Sequence, residues 1–190
     1  MSSHVLLGSV VLTSFIVLTG CGATPAPVHT TGASSLAPSE QLAATVAAFD
    51  GKWSLDAKVT PPGEAPFSAK LDVDCQKVTG ERSVRCTYLM HIPGQPDGGG
   101  AMLVGYDAFA GKVHFMMMNS DDEIHDHACT WKDRNNLDCG VYEGSSGGKK
   151  VSEELHLTSS PGNLGFRSSC KFADGSVLQF EASGGHRSGS

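Results

Sequence analysis

His125-x-His127 is the pattern in this chain most able to do chemistry. Two histidines one residue apart on an extended strand point the same way with backbones about 7 Å apart, close enough for both imidazoles to share a metal ion. Asp121, Asp122, Glu123 and Asp126 stand nearby as further oxygen ligands. Alternation turns Asp126 to the opposite face, and the acidic triplet falls in a turn, so the pair lacks a placed third ligand. His125 and His127 are therefore kept as weak metal candidates, and interior or rim histidines satisfied by hydrogen bonds are the favoured reading, with no cofactor.

The other reactive-looking runs lead to less. Met116-Met117-Met118 could line an adaptable cavity or bind a soft ion, but consecutive strand residues alternate faces, so three adjacent methionines cannot converge. Gly144-Ser145-Ser146-Gly147-Gly148-Lys149-Lys150 fails the spacing of a phosphate loop and has no helix after it. Glu153 and Glu154 alternate across a strand and cannot act as a carboxylate pair. No Gly-x-Ser-x-Gly elbow arms a serine. As haem ligands, His156 points outward by alternation with Leu155 and Leu157, and His186 falls in the tail. No catalytic residue is assigned, and an enzyme is not the expected outcome.

Beyond Cys21, five cysteines remain. Cys75 and Cys86 are equidistant from Gly80-Glu81, and Cys129 and Cys139 are symmetric about Arg134, so hairpins place each pair on neighbouring strands. Disulfides Cys75–Cys86 and Cys129–Cys139 are expected, at about 3 kcal/mol each for short loops, leaving Cys170. The alternative is that directly opposed strand cysteines strain the bond and one pair stays reduced or exchanges with Cys170. The spacing also assigns faces. Cys139 shares a side with Leu137 and Val141, whereas Cys129 shares one with Trp131, His127 and His125, which turns both histidines inward.

The elements that must position these residues are short. Of 190 residues, 23 are Gly and nine Pro, and 39% are hydrophobic, enough for one core with many turns; wholesale disorder and a coiled coil are excluded. A net charge of -6 without a dense Lys/Arg cluster excludes a nucleic-acid binder. Ser39-Glu40 caps a predicted helix of about three turns, with Leu42, Val46 and Phe49 near one face. Period-two alternation follows over Trp53–Thr60 and Phe67–Cys75, and then near 83–91, 101–107, 112–118, 123–132, 137–143, 151–158, 163–172 and 176–182. Turn material such as Pro61-Pro62-Gly63 and Ala173-Asp174-Gly175 separates the runs. About ten antiparallel strands predict an all-β up-and-down barrel after a short helix, with a sandwich as the alternative.

Two resemblances add to this. Val5 to Leu18 is an apolar, charge-free run too short to span a bilayer comfortably, and Leu18-Thr19-Gly20-Cys21 after it resembles the lipobox of bacterial lipoproteins. That resemblance implies cleavage before Cys21, lipidation of its thiol and amino terminus, and stable anchoring by several acyl chains; Gly22 in place of Asp points to the outer membrane. Gly51-Lys52-Trp53, at the start of the first strand, resembles the Gly-x-Trp opening of calycin barrels such as lipocalins. With Pro61-Pro62-Gly63, Gly105-Tyr106-Asp107 and Val141-Tyr142-Glu143-Gly144, the stretch Phe49 to Phe180 resembles the bacterial family known as domain of unknown function 1579, which implies a calycin-like fold.

The expected organisation is a signal peptide over 1–20, a charge-free flexible tether over 21–36, a calycin-like barrel over 37–183 and a disordered tail over 184–190. The expected function is a lipid-anchored cell-envelope protein binding a small apolar or amphipathic ligand inside the barrel. Its wall candidates are Trp53, Tyr88, Met90, Phe115, Met117, His125, His127 and Trp131. A second reading is a structural lipoprotein with a filled barrel and an envelope protein partner, and a third is a metal-dependent enzyme using His125 and His127.

Overall fold

Alternating residues bury one face of a strand and wet the other, and ten such strands in succession close on themselves. In the computed structural model, which describes residues 33–78, 80–120, 123–146 and 148–186, helix α1 (Pro38–Phe49) precedes strands β1 (Gly51–Thr60), β2 (Phe67–Val78), β3 (Ser83–His91), β4 (Gly98–Asp107) and β5 (Lys112–Asn119). Strands β6 (Ile124–Trp131), β7 (Asn136–Ser146), β8 (Lys149–Ser160), β9 (Asn163–Phe172) and β10 (Val177–His186) complete the chain. Each strand pairs antiparallel with its sequence neighbours, and β10 pairs with β1 to close an up-and-down barrel. Cys21, the segment 1–20 and most of the tether lie outside the described residues.

Since β1 leaves directly from α1, odd-numbered strands run away from the helix and even-numbered strands return. The helix packs on β3, β4 and β5 and closes that end. Phe49 drops into the barrel, fully buried, with its ring 6.0 Å from Phe115 and 6.4 Å from Phe166. Trp53 and Trp131 pin the plug: the Trp53 indole N–H donates to Phe49 O and that of Trp131 to Thr45 Oγ1, both at 2.9 Å. Gly51, whose φ of 111° starts β1, faces His186 so closely that a Cβ would lie 2.2 Å from its Nε2. Both disulfides form between directly opposed residues, Cys75–Cys86 and Cys129–Cys139, and Cys170 is a buried free thiol.

Four expectations change. The helix begins two residues early, with Pro38 in its first turn and Ala37 as the cap, so Ser39 does not cap; the Glu40 carboxylate accepts from Ala37 N at 3.0 Å. Its buried face is Gln41, Thr45, Ala48 and Phe49, because Trp131 draws Thr45 inward; Leu42 and Val46 are only half-buried. The expected tether reaches the barrel by residue 34, where the Ser34 hydroxyl donates to Trp131 O at 2.5 Å and Leu36 packs on the core. The expected disordered tail is strand as far as His186: Gly184, Gly185 and His186 pair with Leu55, Ser54 and Trp53, and the His186 ring meets the Trp53 ring edge-on at 5.0 Å.

Candidate functional site

Strand β6 carries His125, His127, Cys129 and Trp131 on its inner face, all buried, while Ile124 and Asp126 face out. Strand β8 does the same with Val151, Glu153, Leu155 and Leu157. Glu153 thus takes an inward position in an otherwise apolar row. Burying a carboxylate is expensive unless a charged partner meets it, and the partners are the histidines two strands away. Glu153 Oε2 lies 2.7 Å from His125 Nδ1 and 3.4 Å from His127 Nε2.

The strand between them makes this reach possible. The β6–β7 ladder holds only three pairs, Cys129–Cys139, Thr130–Asp138 and Trp131–Leu137, and beyond it the strands part. On its other edge β7 shifts register against β8 between Cys139 and Tyr142. The shift inverts the alternation: Tyr142, opposite Glu153, takes the inward place expected of Val141. Its ring stacks on His125 at 4.7 Å and 18°, and its hydroxyl donates to Ile124 O at 2.8 Å across the parted strands. In the same gap His127 Nδ1 meets Gly140 O at 3.4 Å.

The electrostatics follow from crowding these groups out of water. The hydrogen bond to Glu153 raises the His125 imidazole against the opposing effect of burial, and Glu123, with Oε2 at 3.5 Å from His125 Nε2, adds to the rise. Burial alone would raise the Glu153 carboxyl, but the two imidazoles overcome it and hold the group below the usual carboxylate range. Burial, with the charges of Glu123 and Glu153, raises the Tyr142 phenol. Burial, with the charges of Glu153 and Glu123, pushes the thiol of Cys170, opposite Glu153 on β9, up to about 12. Among the described residues, three buried side-chain polar atoms have no hydrogen-bond partner, and two of them are His125 Nε2 and His127 Nε2. Leaving such atoms unpaired costs about 1–3 kcal/mol each.

The wall candidates separate into two groups. Trp53, Phe115 and Trp131 are buried in the packed half, and both indoles are committed to the helix, so the two tryptophans serve the plug rather than a ligand wall. Tyr88, Met90 and Met117 point inward but are only half-buried, with Met117 directly opposite His125 toward the end away from the helix. Met116 and Met118 take the outer face, as alternation requires. His114 pairs with Asp126 and His156 with Asp138, at 3.0 and 2.8 Å on the exposed wall. Sequence reasoning missed Glu153, Tyr142 and Cys170. Glu153 was legible from the spacing Val151-x-Glu153-x-Leu155; Tyr142 depended on a register shift that carries no local signal. Glu123, set aside as a turn residue, is brought back to His125 because its N–H donates to Asn119 Oδ1 at 3.2 Å. Two depressions on the outside, one of 490 Å³ along β1, β8, β9 and β10 that takes in His156 and one of 400 Å³ beside the helix that takes in Trp53, reach none of His125, His127, Glu153 and Tyr142.

No protein-family model matches the chain, and no curated protein matches it. Among solved structures, the S-type phycobiliprotein lyase of Guillardia theta superposes with a TM-score of 0.55 at 14% identity, over 76% of this chain and 91% of that one. A redesigned β-barrel superposes over 76% of this chain and 96% of its own, at 16% identity and a TM-score of 0.40. The likeness to the lyase is one of fold: a closed barrel of the same general build.

Proposed function

We propose that this protein is a lipid-anchored component of the bacterial cell envelope, of the outer membrane, whose barrel binds a small amphipathic ligand at the end away from the helix. The observation that carries the binding reading is the cluster of His125, His127, Glu153 and Tyr142, buried yet holding two imidazole nitrogens without hydrogen bonds. A ligand's polar group would meet this cluster, and its apolar part would lie on half-buried Tyr88, Met90 and Met117. The helix end is packed solid, so the ligand is small and enters from the far end. The phycobiliprotein lyase supports the reading only as a barrel of this build put to use on a partner molecule. The anchor rests on Leu18-Thr19-Gly20-Cys21 and on the charge-free stretch after it.

Native mass spectrometry of the full chain, exported and extracted in detergent, tests both parts. A retained molecule of discrete mass that is lost in His125→Ala/His127→Ala supports the binding reading, and a chain that is empty after extraction from its own envelope sinks it. An amino-terminal peptide at Cys21 carrying acyl mass supports the anchor; an unmodified Cys21 removes it.

One observation favours the interaction reading as a companion. Leu89, Met118 and Ile124 are 51%, 46% and 57% exposed on the outer wall near the end away from the helix, with Met118 and Ile124 directly paired. Crosslinking in intact envelopes that is lost in Met118→Glu/Ile124→Lys would support a protein partner there.

A further inference from the structure

The two histidines present themselves to Glu153 in a particular way. One nitrogen of each ring faces Glu153 Oε2, and the other faces an acceptor: Gly140 O at 3.4 Å from His127 Nδ1, and Glu123 Oε2 at 3.5 Å from His125 Nε2. Imidazoles that bind metal are characteristically backed like this, because an outer N–H donated to a carbonyl or carboxylate fixes the tautomer and turns the inner lone pair to the ion. A carbonyl can only accept, so the Gly140 contact puts a proton on His127 Nδ1 and, in the neutral ring, a lone pair on Nε2. That lone pair confronts a carboxylate oxygen, two acceptors 3.4 Å apart between side chains that are 0% and 7% exposed. Such a pair repels unless a proton or a cation lies between them. One donor atom from each of His125, His127 and Glu153 lies within 4.8 Å of the other two.

We propose that His125 Nδ1, His127 Nε2 and the Glu153 carboxylate hold a divalent transition-metal ion, with Glu123 and Gly140 as outer acceptors. The inference rests on reading this cluster as a binding site and names the chemistry bound there. Two imidazoles with one carboxylate suit zinc or ferrous iron; magnesium and calcium take oxygen ligands. Bonds of about 2.0–2.2 Å place tetrahedral zinc ligands about 3.4 Å apart, so the His127–Glu153 spacing already fits and the His125–Glu153 contact opens by about 0.7 Å. Binding displaces the proton between His125 Nδ1 and Glu153 and leaves the ring N–H on Nε2, donated to Glu123. Three protein ligands leave a fourth position for water or for the polar group of the ligand.

The test uses the full chain, exported through an oxidising periplasm, carrying a tag without histidine, stripped with a chelator and reloaded with cobalt(II) as a coloured stand-in for zinc. The expected result is one cobalt per chain with the visible bands of a four-coordinate ion, displaced by one equivalent of zinc. His127→Ala and Glu153→Gln each weaken binding by at least about 100-fold, and Glu123→Gln, which removes only an outer acceptor, by about 10-fold. His156→Ala on the outer wall changes nothing. Should Glu153→Gln fail to fold, Glu123→Gln carries the test. Cobalt bound no more tightly by the parent chain than by His127→Ala, or bands unmoved by Glu123→Gln, overturns the assignment. An organic molecule retained without metal overturns the metal and leaves the binding barrel standing; metal retained without any organic molecule does the reverse.

Discussion

The two ends of the barrel are built from the same ten strands and are filled by opposite means. At the helix end, Phe49, Phe115, Phe166, Trp53 and Trp131 interlock, and each indole N–H has a partner. At the far end the same inward positions carry His125, His127, Glu153 and half-buried Tyr88, Met90 and Met117. Apolar packing there would have been the simpler solution, since a buried ion pair is often no more stabilising than well-packed hydrophobic residues of similar volume. One half therefore supplies stability, and the other keeps charge and unpaired nitrogens where a ligand can use them.

That division can be broken experimentally. Phe49→Ala empties the plug and lowers unfolding free energy by about 3–5 kcal/mol in urea titrations, while binding per folded molecule at the cluster is unchanged. Removing the second disulfide with Cys129→Ala/Cys139→Ala is expected to lower stability by about 3 kcal/mol. It loosens the last rungs of the short β6–β7 ladder, so this variant alone should weaken both stability and binding. Thr45→Val strands the Trp131 N–H and costs about 1–2 kcal/mol, read from the same titrations. The smallest stability change is the most telling: His125→Leu/His127→Leu/Glu153→Leu abolishes binding but leaves stability within about 1 kcal/mol of the parent, or raises it. A loss as large as that of Phe49→Ala would mean that the cluster holds the fold together, and the division of labour would be wrong.

Much of the fold was legible because alternation is a strong signal in this chain. The spans expected near 83–91, 112–118 and 163–172 match β3, β5 and β9 closely, and the mirror positions of Cys75 and Cys86 or Cys129 and Cys139 mark real rungs. The inward turn of His125 and His127 followed from Cys129 by counting in twos. Counting failed where the backbone slips: the shift between Cys139 and Tyr142 exchanged Val141 for Tyr142, and nothing in the residues announces it. Glu153 was overlooked for a different reason. Judged only as half of a carboxylate pair with Glu154, it was dropped, although its neighbours Val151, Leu155 and Leu157 already turned it inward. The helix face was misjudged because Thr45 is buried by a bond to Trp131, 86 residues away in the chain.

The docking of Ser34 and Leu36 beside Trp131 sets the direction in which the chain leaves the domain. It emerges at the plugged end, on the side opposite the half-buried methionines. Twelve residues separate Ser34 from Cys21, and the thirteen steps between them span at most about 45 Å when fully extended. The lipid we propose on Cys21 would therefore hold the barrel within roughly its own height of the bilayer. The ligand we propose would then be bound within a barrel's height of the membrane that holds the anchor.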